Sequence, residues 1–594
     1  MNFNHAELQG GVPGGFQVEQ EAQLPAATEG NPRPSEASTT SRQERVPGTS
    51  AGTGHPNAPR SAIVYLIPSV RDIVFIFLFW SLLAGTLSNR PLADPDIGWH
   101  IRTGELILST HEISRRDPFS STMHGQPWFA WEWLYDLGLG VLYRACGLNG
   151  VVWLCALIVP ATFTMLLSQL LKRGTGLLLA IVLMLLAEAA ATIHLFARPH
   201  IVSWFFMLAW FAALERWERG GGRENVPRWL PWFFPASTLL WVNLHGGWLV
   251  GFGLLAVYIV AATVDGLRDS DAFAALRAGQ RARAMAWAGV TSAVATLVNP
   301  FGWNLHVHIY RYLGDRYLMN RIAEFRSPDF HGWAQRCFAM ILLLTVVALA
   351  GHRRQIRLRH LLVILLAVYA GLLSARNLPV SSMLLVLVIG PLLWESIVAL
   401  ANRPGAWGWL RGSARWVVEF SGRMGAQELS LRGHAWPAVI AIASLAICLH
   451  GGWIGSRRVV DARFDPKKVP VAAVDFLQRE SSREPIFSTD SWGGYVIYRL
   501  YPSRQVVVDD RHDLYGSDRV RQILTLMQGE PGWRELLETW HIRTVLLPAD
   551  STLANLLREL PTDWRVTYQD DVAVVYELVA GEAALPEAEV HEKR

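Results

Sequence analysis

From Val74 to Trp453 the sequence returns repeatedly to apolar stretches of about 16 to 22 residues, each long enough to cross a hydrocarbon core ~30 Å thick. This feature limits the chain more than any other. A soluble domain has no reason to repeat that length, whereas a bilayer imposes it. Hydrophobic residues make up 51% of the 594, an average that large globular proteins also approach, so the distribution decides the class and the average does not. The expected fold is a mainly α, polytopic membrane protein with about eleven transmembrane helices, followed by a small C-terminal α/β soluble domain. The candidate spans are 72–89, 151–171, 176–194, 200–215, 229–243, 246–264, 284–298, 336–351, 359–375, 379–400 and 436–454.

A further helix at 131–147 carries Glu132, Asp136 and Arg144 and is short for a crossing; it reads as interfacial. With that choice, alternate loops are consistently basic: "KRG", "ERWERGGGRENVPR", "RAGQRAR", "HRRQIRLRH" and the Arg-bearing segment 403–432. Short cytoplasmic loops hold the Lys and Arg. The N-terminus is therefore expected inside and the C-terminal domain outside, in a multi-pass protein of the cytoplasmic membrane.

The expected organisation is a disordered cytoplasmic tail (1–60), a membrane domain (70–454) with a first outer loop at 90–131, an extracytoplasmic α/β domain (455–580) and a polar tail (581–594). The tail is rich in Gly, Pro, Ser, Thr, Glu and Gln without apolar periodicity. No apolar signal region stands near the start, so the first span is expected to direct targeting. The four cysteines lie in or beside apolar runs at spacings that fit neither zinc nor a disulfide framework. They read as small buried hydrophobes.

Polar groups gather on the outer side. Loop one, "LADPDIGWHIRTGE", brings Asp94, Asp96, His100, Arg102 and Glu105, and Glu132 follows. The outer turns add Arg198 and His200, Asn243 and His245, the pair Arg376 and Asn377, and from the long loop Arg321, Glu324 and Arg326. Taken singly, each reads more readily as a snorkelling or helix-capping residue than as part of a site. Their recurrence at nearly every outer turn favours one shared polar cavity. Within loop one, Pro95 keeps Asp94 extended, and Asp96 is the expected N-cap of an amphipathic helix from Ile97 to about Leu108. His100 falls one turn after Asp96, within reach of its carboxylate. Two carboxylates beside a histidine suit a general base or an oxygen-ligand site for a divalent cation, and the spacing leaves both open.

The acid pair just after the first span, with "DPDIGWHIRTGELIL" leading on to "ISRRDPFSSTMHGQPWFAWEWL", resembles the first outer loop of GT-C superfamily glycosyltransferases. The nearest likeness is to the bacterial family 39, dolichyl-phosphate-mannose protein mannosyltransferase-like group. "STDSWGGYVIYRLYPSRQVVVDDRHDLYG" is similar to the outer domain of such proteins, and the likeness spans most of 70–577. The resemblance implies transfer of a sugar from a polyprenyl-phosphate-linked donor to an acceptor (glycan, lipid or protein) on the outer face. It implies a catalytic acid at Asp94 or Asp96 and phosphate-holding arginines at Arg198 and Arg376. The proline between the two aspartates departs from the commoner Asp-Glu-aromatic pattern. Membrane lipids are expected partners and nucleic acid is not. Competing readings are an O-antigen ligase or polymerase, a transporter, for which no internal repeat is visible, and a non-catalytic scaffold.

After Trp453, "VPVAAVDFLQRE", "RVRQILTLMQGE" and "WRELLETWHI" read as helices. "EPIFSTD", "RQVVVDD" and "RTVLLPAD" read as strands, and "WRVTYQDDVAVVYEL" as a hairpin. "DSWGGY" sets two glycines where a helix could begin and admit an anion, but a simple tight turn is the favoured reading. Asp509, Asp510, Arg511 and Asp513 read either as part of a site or as a solvated strand end.

Overall fold

The computed structural model describes residues 66–219, 227–352, 355–431 and 435–579. All of them belong to one compact unit, Ser61–Arg594. The expected tails at 1–60 and 581–594 lie outside the described residues.

Helix α1 (Val70–Leu83) starts at a capping box in which Ser69 and Asp72 bond each other's backbone amides. The short helices α2 (Ile97–Thr110) and α3 (Trp133–Cys146) come next and pack on one another. They approach so closely at Gly104 and Gly140 that a Cβ on either would overlap the other's backbone. The bundle continues with α4 (Leu148–Lys172), α5 (Leu177–Ala191), α6 (His200–Arg219), α7 (Leu230–Leu244), α8 (Trp248–Arg268) and α9 (Ala272–Ala295). Helices α10 (Trp303–Gly314) and α11 (Arg316–Arg321) lie in the long loop. After them come α12 (Trp333–Gly351), α13 (Leu358–Leu373), α14 (Leu378–Ala401), α15 (Gly408–Ser430) and α16 (Ala435–Leu449).

A helix stands at each expected span. Among the described residues, five segments are long and apolar enough to cross a membrane: Leu148–Lys172, Leu177–His194, Trp248–Arg268, Trp333–Gly351 and Ala375–Ala401. The apolar helices α13 and α16 are shorter. The chain is a multi-pass membrane protein. Its buried centre is α14, where every residue from Ser381 to Gly390 is buried, as expected of a helix that is apolar all round. The outward faces are apolar too, with Phe77, Leu343, Val346 and Ile442 exposed where lipid would cover them.

Beyond a two-stranded hairpin, β1 (Trp453–Ile454) and β2 (Arg457–Arg458), the chain forms an α/β layer. Its elements are α17 (Val471–Arg479), β3 (Ile486–Ser488), α18 (Asp490–Leu500), α19 (His512–Gln528), α20 (Trp533–Thr539), β4 (Thr544–Pro548), α21 (Thr552–Arg558), β5 (Trp564–Gln569) and β6 (Ala573–Leu578). The sheet order is β3-β4-β6-β5, with β3 and β4 parallel and the rest antiparallel.

Two expectations change here. "RQVVVDD" forms no ladder of its own; Val506 makes single bridges to Ile486 on one side and to Ser120 of loop one on the other. Its backbone groups are satisfied partly by loop one, through Val506 N to Phe119 O at 3.2 Å and Ser121 N to Val506 O at 2.8 Å. "DSWGGY" is no tight turn but the first two turns of α18. A Cβ on Gly494 would lie 2.6 Å from the Cα of Asp96, and one on Gly493 would lie 2.7 Å from the Cα of Asp509. These glycines let α18 press against loop one and against the 509 segment. The layer is thereby held on the end of the bundle that carries α2.

Candidate functional site

Asp94, Pro95 and Asp96 enter α2 through a tight turn in which the Asp96 amide donates to Asp94 Oδ1 at 3.1 Å. Asp96 occupies the N-cap position, yet its backbone is already helical (φ −65°, ψ −21°) and its side chain caps nothing. The expectation that capping accounts for Asp96 therefore fails. Its Oδ2 lies 3.3 Å from Arg198, and its buried Oδ1 has no hydrogen-bond partner.

Arg198, in the turn before α6, is the hub. Its guanidinium lies 2.7 Å from Asp94, 3.3 Å from Asp96, 3.6 Å from Asp510 and 3.8 Å from Glu324. Four carboxyls around one cation cannot all ionise cheaply when buried. Burial, then the charges of Asp510 and Asp94, push Asp96 well above the usual carboxylate range, and burial raises Asp510 as well. Asp94 moves the other way. Burial opposes its ionisation, but Arg198's charge and hydrogen bond outweigh it and hold the acid low. Asp94 is thus biased toward its charged form beside Asp96 and Asp510, which are biased toward their protonated forms. Glu324 is held low because Arg376, 3.2 Å away, and Arg198 overcome its burial.

Beside this hub lies a cavity of about 300 Å³, lined by Glu132, Arg198, His245, Arg376 and Asp510 among aromatic walls that include Trp99, Trp131 and Tyr312. Trp99 donates its indole N–H to Asp510 at 2.9 Å, joining α2 to the α/β layer across the cavity edge. Burial raises the Glu132 carboxyl to about 7, against the pull of Arg198 and Arg376. Its oxygens lie 3.6 Å from His245 Nε2 and 3.8 Å from His100 Nε2. The Gly247 N–H donates to His245 Nδ1 at 3.0 Å, which leaves Nε2 as the protonated nitrogen facing Glu132.

The expected residues divide accordingly. Glu132, Arg198, His245 and Arg376 line the cavity. Asp94 and Asp96 stand behind Arg198, off the wall. His100 does not meet Asp96. It is fully buried and turned the other way, its Nδ1 2.7 Å from Asp136 of α3, and burial holds its pKa well below the usual value. Three candidates are occupied elsewhere. Arg102 bonds the Tyr498 carbonyl and Glu105, tying α2 to α18. Asn243 accepts from Trp133 and donates to the Leu239 and Val298 carbonyls. The His200 Nε2 lies 2.6 Å from the His194 carbonyl.

Sequence reasoning left Asp510 undecided and passed over Trp99, Trp131 and Tyr312. Asp509 and Arg511 are no solvated strand end, since both are buried. Arg511 pairs with Asp509 at 2.7 Å and Asp117 at 2.8 Å and is flanked by the rings of Trp128 and Phe119. Among the described residues, no three His, Cys, Asp or Glu side chains converge to hold a metal ion.

No family model and no curated protein sequence matches the chain. Solved structures do. The apo oligosaccharyltransferase of Archaeoglobus fulgidus aligns over 81% of this chain and 70% of its own at 10% identity, TM-score 0.51. The same enzyme tethered to an acceptor peptide containing the NVT sequon aligns over 83% and 70% at 12% identity, TM-score 0.51. This chain shares the fold of that oligosaccharyltransferase. Apo ArnT from Cupriavidus metallidurans covers 86% of this chain and 97% of its own at 14% identity, TM-score 0.45. In this chain, loop one, the turns at Arg198, His245 and Arg376 and the α/β layer all meet at one end of the bundle.

Proposed function

We propose that the cavity binds a polyprenyl-phosphate-linked sugar and transfers the sugar to an acceptor hydroxyl at the outer face of the cytoplasmic membrane. The observation that carries this reading is the gathering of Arg198, Arg376, Glu132 and Asp510 in one aromatic-walled cavity at a bundle end. Such a donor carries its own leaving group, so the protein needs cations for the departing phosphate and a base for the acceptor. Arg376 is the freer arginine, half-buried and, among the described residues, held only by Glu324 and the Phe325 ring. Its planar fork suits a phosphate. Glu132 is the base in this reading, because its pKa of about 7 balances availability against strength. The acceptor O–H proton passes to Glu132 and the new C–O bond forms at the anomeric carbon. The old bond to the phosphate oxygen breaks, and its electron pair leaves on the phosphate. The aromatic walls offer faces to a sugar ring. Asp94 and Asp96, which hold Arg198 in place, are positioning residues.

The test is transfer of radiolabelled sugar from polyprenyl phosphosugars in membranes containing the full chain. Arg376→Gln should cut transfer roughly ten- to hundredfold, the worth of a hydrogen bond to a charged group, chiefly through KM. A wild-type chain inactive with every such donor, or an Arg376→Gln variant with unchanged kinetics, refutes the proposal.

A further inference from the structure

A second cavity, of about 900 Å³, opens at the far ends of α6, α7 and α9. It is lined by Arg228, Arg277, Arg281 and Arg283, with Trp232 and Trp287 at its mouth. Its residues share nothing with the site above. From His200 at the candidate site to Trp217 on this cavity's floor, α6 advances roughly 25 Å, most of a hydrocarbon thickness. The two cavities therefore lie near opposite ends of α6.

The chemistry of the lining is one-sided. Among the described residues, the four charged residues on the wall are all arginines, and no carboxylate joins them. Arg281 is the innermost, with Glu218 3.6 Å from its Nε and outside the lining, and that Nε lacks a hydrogen-bond partner. Among the described residues, Arg228 and Arg277 have no carboxylate partner and Arg283 reaches only the Gly279 carbonyl of its own helix. Uncompensated guanidinium groups in one concavity repel each other, and an anion relieves that repulsion. The remaining walls favour one kind of anion. Trp232 and Trp287 are largely exposed, indole rings are favoured against lipid headgroups, and Pro231 and Ala284 add apolar surface.

The geometry points to a binding site for the headgroup of an anionic phospholipid, in the leaflet opposite the candidate active site. Its phosphate bonds the arginine forks, and its glycerol backbone lies against the tryptophans. A zwitterionic lipid is disfavoured, since its cation meets four guanidinium groups.

The full chain, purified in neutral detergent and stripped of lipid, is titrated with phosphatidylglycerol, phosphatidylcholine and inorganic phosphate, and bound lipid is read by native mass spectrometry. Phosphatidylglycerol should bind saturably and at least about tenfold tighter than phosphatidylcholine. Combining Arg228→Gln, Arg277→Gln and Arg283→Gln should weaken it by about tenfold or more. These side chains are exposed, so the variant should keep its gel-filtration profile, and the matching triple lysine variant should retain most of the binding. Equal binding of phosphatidylcholine, or undiminished phosphatidylglycerol binding in the glutamine variant, overturns the site. Inorganic phosphate that displaces phosphatidylglycerol at equal concentration overturns the lipid assignment in favour of free phosphate.

Discussion

Glu132 and Asp94 are both carboxylates in the field of Arg198, yet their surroundings prepare them differently. Glu132 is raised to about 7 by burial and faces the cavity. Asp94 is held low by Arg198 and lies behind it. If Glu132 is the base, its ionised form is the active one, so kcat/KM should rise with pH and level off above about 7. Glu132→Gln should lower kcat by roughly 10²- to 10⁴-fold and abolish that rise. Asp94→Asn should lower activity through a displaced Arg198 but keep the rise, because Glu132 remains. An Asp94→Asn profile that loses its pH dependence while Glu132→Gln keeps it would return the role of base to loop one. From the sequence, the gathering of Glu132, Arg198, His245 and Arg376 was legible, because each occupies an outer turn in an otherwise apolar setting. The separate environments of the acids were not. Asp94, Asp96 and Asp510 differ through one arginine about a hundred residues from the first two and some three hundred from the last.

Helices and strands with a strong local period were readable: α17, α19, α20, β3, β4 and the closing hairpin all stand where their patterns put them. "RQVVVDD" was misread as an ordinary strand because its second partner, Ser120, lies in loop one, where no local pattern announces it. "DSWGGY" was misread because a glycine pair signals a turn and a close helix approach equally well. The approach is mutual: a Cβ on Gly98 would lie 2.8 Å from the Tyr498 Cβ and overlap the Gly494 carbonyl. Gly494→Ala should therefore force α18 off loop one and destabilise the chain by about 1–3 kcal/mol, the usual cost of overpacking. Gly138→Ala is the control, since nothing lies within 4 Å of its added methyl, and it should be neutral or slightly stabilising. Thermal unfolding of the purified chain compares the two. Equal melting temperatures would mean that the glycine contact does not hold α18 and α2 together.

At the scale of the molecule, the proposed chemistry depends on sidedness, because lipid-linked sugars and their acceptors must meet on the face that carries loop one. By the positive-inside rule, the basic loops at 172–174, 277–283 and 403–432 predict that this face is outside. The structure makes this directly measurable: all four native cysteines are buried, so an introduced surface cysteine is the dominant target for a membrane-impermeant maleimide. Glu112→Cys in loop one and Arg565→Cys in β5 are both exposed sites at the loop-one end. Both should label in intact cells. Arg403→Cys, exposed between α14 and α15, should label only after permeabilisation. The reverse pattern would invert the protein and place the candidate site in the cytoplasm, where a donor displayed on the outer leaflet could not reach it. Labelling of Glu112→Cys and Arg403→Cys alike in intact cells would break the topology itself, and with it the argument that the two cavities face opposite leaflets.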